Sequence, residues 1–149
     1  MQEAVKEAFK GIKKGEGGPF GAVIVLDGKV IAKAHNTVVK DNDPTAHAEV
    51  NAIRKASKKL KTYCLKGCEL ITTCEPCPLC LAAIKWAGIK KATYGCSRKD
   101  AGKLGFSDAR MYEEFEGKRE QNTLLICSER EKCTPLFDCW DKMKNKKKY

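Results

Sequence analysis

No stretch of the 149 residues approaches the roughly 20 consecutive apolar positions that a membrane-spanning helix requires. An export signal is not expected either. Met1-Gln2-Glu3-Ala4-Val5-Lys6 reads as the start of an amphipathic helix, so a cytoplasmic protein is expected. There is no low-complexity linker and no internal repeat, which leaves a single domain over residues 1–149. Aromatic residues are scarce, at 7%. Few of them interleave with the densest basic stretches, 54–61 and 142–148. The excess of 29 basic over 19 acidic side chains therefore reads first as a solvated surface, with nucleic acid as the sharper alternative.

Cysteine, by contrast, is plentiful, with nine residues. The odd number, the missing export signal and a chain long enough to bury a core argue against a disulfide scaffold. Cys64, Cys68, Cys96, Cys127, Cys133 and Cys139 show no tight metal spacing and read as reduced thiols. Cys74, Cys77 and Cys80 form a cluster of their own.

Apolar periodicity places a helix over 2–14, carrying Ala4, Val5, Ala8, Phe9 and Ile12. Gly15 to Pro19 ends it. A β-branched run from Phe20 to Leu26, the turn Asp27-Gly28 and a second run from Lys29 to His35 predict a hairpin. After the polar turn 41–44, Thr45 is the expected N-cap of a helix to about Leu60. Short strands are expected over Glu69–Thr73, Lys91–Tyr94 and Thr123–Cys127. Helices are expected over Leu79–Ala87, which Gly88 ends, and over about 108–115 and 133–146. A hairpin followed by alternating helices and strands implies a mixed α/β sheet with helices on its faces.

Two thiolates and one imidazole can hold zinc and keep a fourth position for water. Cys77 and Cys80 are three apart, which on a helix start puts both sulfurs on one side, where the dipole favours thiolate. His47 lies at the start of another helix. Glu49 follows by two residues, about 200° around a helix, yet beside a ligand at the helix end both can point inward. A carboxylate next to the metal, rather than on it, is what hydrolysis needs to move protons. Zinc with two thiolates and a neutral imidazole sums to zero charge. A closed structural site would need a fourth ligand, for which Cys74 is the candidate. The combined pattern His47-Ala48-Glu49 with Pro76-Cys77-Pro78-Leu79-Cys80 is the signature of zinc deaminases.

With those blocks the chain resembles the cytidine deaminase superfamily, and within it the bacterial guanine deaminases. The similarity is carried by residues 17–25, 43–50, 74–81, Gly105-Phe106-Ser107-Asp108 and Lys146-Lys147-Lys148-Tyr149. It implies a cytidine deaminase-like fold with a five-stranded sheet between helices, and a homodimer whose C-terminal segment, about 133–149, is swapped onto the partner. It further implies that Asn36 hydrogen-bonds a purine, Phe20 stacks on it, the Ala48 backbone N–H binds its carbonyl oxygen and Trp86 helps form the pocket. Asp108 would meet the amine side and assist a second proton transfer, and Tyr149 would enter the neighbouring site. The implied reaction is hydrolytic attack at C2 of guanine. Glu49 takes the water's proton and delivers it to the adjacent ring nitrogen, and the products are xanthine and ammonia.

Without the resemblance, Phe20 and Trp86 read as core, Asn36 as a strand-end turn residue, Asp108 as an N-cap and Tyr149 as the end of a basic tail. Three other functions share parts of the pattern. A tRNA adenosine deaminase has the same zinc motifs, and the net charge of +10 suits it. Another amino-substituted base or nucleoside would need only a different pocket. A non-catalytic zinc-stabilised binding module would need the ligands but not Glu49.

Overall fold

The computed structural model describes residues 1–120, 123 and 125–144. Eleven elements are formed by these residues: α1 (Gln2–Lys13), β1 (Gly21–Leu26), β2 (Lys29–His35), α2 (Val38–Asp41), α3 (Ala48–Leu60), β3 (Glu69–Cys74), α4 (Pro78–Trp86), β4 (Lys91–Cys96), α5 (Arg98–Lys103), α6 (Ala109–Phe115) and α7 (Arg130–Lys142). The sheet order is β2-β1-β3-β4. β1 pairs antiparallel with β2 and β3, and β3 pairs parallel with β4. The expected mixed sheet flanked by helices is present.

Alternation along the strands sorts side chains between two helical layers. Ala22, Ile24, Ala32, Ala34 and Leu70 pack with Ala48, Ala52 and Ala56 of α3 and Ile84 of α4. The opposite face receives α1. There Gly21 is required, because a Cβ would run into the Ala4 carbonyl oxygen and the Ala8 amide. This close approach explains why α1 docks through Ala4, Glu7, Ala8 and Gly11, leaving Val5, Phe9 and Ile12 exposed. The helix was expected from all five apolar positions, but only its small side chains let the backbones meet.

The fifth strand is corrected. Thr123 and Leu125–Cys127 are not in a strand, and Leu124 lies outside the described residues. The β-rich composition of this segment is local, whereas a strand needs a paired edge. Leu125 and Ile126 are instead exposed. Thr45 does not cap α3 either. Asp43 Oδ1 accepts both its amide and its hydroxyl at 2.7 Å, which holds the turn and passes the N-cap to His47. Two short helices, α2 and α5, are additions. α5 starts with a capping box in which the Asp100 amide donates to Ser97 Oγ and the Ser97 amide donates to Asp100 Oδ2.

Candidate metal and catalytic site

His47 and Cys77 are the N-caps of α3 and α4, both with extended backbones, and neither side chain makes a cap hydrogen bond. They face each other instead. His47 Nδ1 lies 3.4 Å from Cys77 Sγ and 3.4 Å from Cys80 Sγ. All three donor atoms fall within 4.8 Å of one another. Donors bound to one tetrahedral zinc at 2.0–2.3 Å stand about 3.5 Å apart, so the trio fits a common ion. Cys74, the spacing candidate for a fourth ligand, donates towards Ser97 O at 3.7 Å and does not belong to the group. Three protein donors suit a metal that keeps a position for water.

The electrostatics are those of a site built for a cation. A hydrogen bond from Cys80, with His47 adding to it against burial, pulls the Cys77 thiol well below the ordinary thiol range. Donation to the Cys77 thiolate, together with burial, pushes Cys80 up. Two anions this close would repel, so without a dication one proton is kept between them. The bond to the Cys77 thiolate raises His47 against the opposing effect of burial.

Glu49 sits on the second residue of α3 and is 5% exposed. Its Oε1 accepts the Thr72 hydroxyl at 3.2 Å, and its Oε2 lies 3.4 Å from Cys80 Sγ. Burial pushes its carboxyl above the usual range. Together with His47, Cys77 and Cys80 it lines a cavity of about 450 Å³. Phe20, Asn36 and Asp108 line the same cavity. Phe20 meets Phe106 edge to face, with centroids 5.1 Å apart at 85°. Asn36 is buried, and its Oδ1 accepts the Val38 amide at 3.1 Å. Asp108 is the N-cap of α6 by position but makes no side-chain cap bond, and burial raises its carboxyl. Ala48 is buried as the first residue of α3, where amides lack an intrahelical acceptor.

One expected pocket residue is misplaced. Trp86 ends α4, is 70% exposed and does not line the cavity. The buried stripe of α4 is Cys80 and Ile84, four apart, and Trp86 falls off that stripe. Tyr149 lies outside the described residues. Several wall residues carried no motif: Val38 and Val39 of α2, Arg98, and Met111 of α6. Arg98 stacks over the Tyr112 ring at 4.3 Å, while the Tyr112 hydroxyl donates to Pro76 O at 3.0 Å, just ahead of Cys77. Thr72 carried no motif either, and the one signal that points to it is alternation, as the polar residue between Leu70 and Cys74 on one strand face.

A family model described as the cytidine and deoxycytidylate deaminase zinc-binding region matches residues 1–96. Guanine deaminase of Bacillus subtilis (strain 168) is 47% identical over 151 residues, covering 100% of this chain and 96% of its own length. The X-ray structure of guanine deaminase from Bacillus subtilis superposes with a TM-score of 0.89 at 46% identity, over 99% of this chain and 95% of that one. A tRNA-specific adenosine deaminase of Aquifex aeolicus (strain VF5) is 44% identical over 102 residues, 68% of this chain and 67% of its own length.

Proposed function

This chain belongs to the cytidine and deoxycytidylate deaminase family, and from that membership we propose that it hydrolyses guanine to xanthine and ammonia. The observation that carries this reading is a buried carboxyl, Glu49, beside an imidazole and two thiols in one cavity, in a chain matched over its full length by a guanine deaminase. His47, Cys77 and Cys80 would hold the zinc. Bound there, zinc lowers the pKa of water towards about 7 and so supplies a nucleophile at neutral pH.

Glu49 takes the proton of the attacking water and returns it to the ring nitrogen beside C2. Its raised carboxyl suits both halves of that exchange. Phe20, braced by Phe106, stacks on the purine. Asn36, anchored through Val38, reads its polar edge, and the Ala48 N–H binds its carbonyl oxygen. Asp108 meets the departing amine and carries the second proton. The carboxyl's upward shift by burial supports that role.

The chain acts as one domain and as a homodimer, with the C-terminal segment crossing to the partner so that Tyr149 reaches the neighbouring site. Supporting this, no residue of α7 is buried, and it exposes Leu136, Phe137 and Trp140. Light scattering checks it: a dimer mass is expected, and a monomer would reject the arrangement. A cytoplasmic location fits nine cysteines without a disulfide. No helix among the described residues is long and apolar enough to cross a membrane.

The net charge of +10 and the Aquifex relative favour one second reading, deamination of adenosine in tRNA. Ammonia release from guanine, guanosine, cytosine, adenine and tRNA in parallel decides between them. Guanine turnover that stops on chelation is expected. Turnover of tRNA alone would replace the substrate, and silence throughout would reject the guanine reading in favour of a substrate outside the panel or a binding module.

A further inference from the structure

β3 alternates between its two faces, so Leu70, Thr72 and Cys74 point together into the layer beneath α3. Most side chains of that layer are apolar. Thr72 is 0% exposed, and a hydroxyl buried there is unfavourable unless it is bonded. Valine has nearly the same shape and is equally at home in a strand, so strand formation does not need the oxygen. Among the described residues the hydroxyl donates to Glu49 Oε1, at 3.2 Å.

We propose that Thr72 is the positioning residue for Glu49, holding Oε1 so that Oε2 stays turned towards Cys80 and the cavity. The proposal rests on Glu49 being the proton carrier. Threonine suits the task because its β-branched side chain is stiff at χ1. Its backbone is also fixed from both sides, in register with Ala22 of β1 and Tyr94 of β4. Glutamate, by contrast, reaches its working position through three rotatable bonds. A carboxylate misplaced by about 1 Å loses on the order of 10²-fold in rate.

The test compares Thr72→Val and Thr72→Ser in the zinc-loaded protein. Thr72→Val is expected to lower kcat on guanine about 10- to 100-fold, with KM within about threefold and zinc content unchanged. Thr72→Ser, which keeps the hydroxyl, is expected to recover kcat to within about threefold. A second readout needs no turnover. The ¹³C resonance of Glu49 Cδ reports the bonding of the carboxylate and is expected to move in Thr72→Val but not in Thr72→Ser. Wild-type kcat in Thr72→Val, an equal loss in both variants, or loss of zinc in step with kcat would overturn the proposal. So would an unmoved resonance in Thr72→Val. Should wild-type protein leave guanine untouched, the substrate reading fails by itself, and the resonance alone decides the role of Thr72.

Discussion

Glu49 combines a surface-type side chain with an interior position, and its two bonded neighbours, Thr72 and Cys80, leave it almost no water. Glu49→Gln keeps the size and most of the hydrogen bonding but cannot take a proton. Turnover is expected to fall about 10²- to 10⁴-fold while zinc content and melting temperature hold. Steady-state kinetics with metal analysis checks this, and an unchanged rate would overturn the role given to Glu49. Gly17 matters for the opposite reason. A Cβ there would run into Asn36 Oδ1 and the Asn36 carbonyl. Gly17→Ala is therefore expected to displace Asn36 and raise KM for guanine about tenfold, roughly 1.4 kcal/mol of binding, with a smaller change in kcat. The His-x-Glu and Cys-x-x-Cys chemistry was legible because ligand types and short spacings are local facts. The closeness of Gly17 to Asn36 was not, because it depends on how the α1–β1 loop lies over the end of β2.

Between elements, α1 is linked to β2 and α2 by a chain of side-chain contacts through Glu7, His35 and Glu16. Lys10 Nζ lies 2.6 Å from Glu7, His35 lies between Glu7 and Glu16 at 3.4 and 2.6 Å, and Lys40 reaches Glu16 at 3.3 Å. Burial acts to raise Glu7, but its bonds to Lys10 and His35 outweigh that and hold its carboxyl below the ordinary 4.5. The bond to His35 leads in lowering Glu16. A carboxyl lowered in the folded state stabilises fully above its unfolded value and loses that contribution as pH falls through the folded value. Thermal stability is thus expected to drop as pH goes below about 4.5, and Glu7→Gln is expected to flatten that drop. Melting curves from pH 3 to about 7 measure it, and identical slopes in both proteins would contradict the assignment. Sequence periodicity found α1, β2 and α3 within a few residues, since amphipathic spacing survives in any context. It missed the start of α3 because the competition between Asp43 and the helix for Thr45 is settled by geometry.

For the molecule as a whole, zinc would be a fold-stabilising ligand as well as a reagent. It would join α3 to α4 through side chains 30 and 33 residues apart. A ligand held at about 1,000 times its Kd contributes roughly 4 kcal/mol. For a domain of this size that is a melting shift on the order of 10 °C. Chelation is expected to lower the melting temperature by that order and to abolish turnover, with both restored by zinc. Scanning calorimetry with metal analysis tests it, and a protein stripped of metal but equally stable would argue against the three ligands. The exposed apolar residues of α7 belong to this scale too, since one chain leaves them uncovered.

The sequence by itself determined the donor set, the helix starts that favour thiolate, the carboxyl beside them and the alternating strands of a mixed sheet. Each of these follows from residue type and short spacing, which local geometry converts directly into a direction. Only the tertiary structure decided that the starts of α3 and α4 meet, that Trp86 faces outward, that 123–127 is not a fifth strand among the described residues, and that Thr72 reaches Glu49 across 23 positions. Those outcomes depend on which surfaces of separate elements pack together. That choice is made by volume and close approach, as at Gly21, and leaves no periodic trace along the chain.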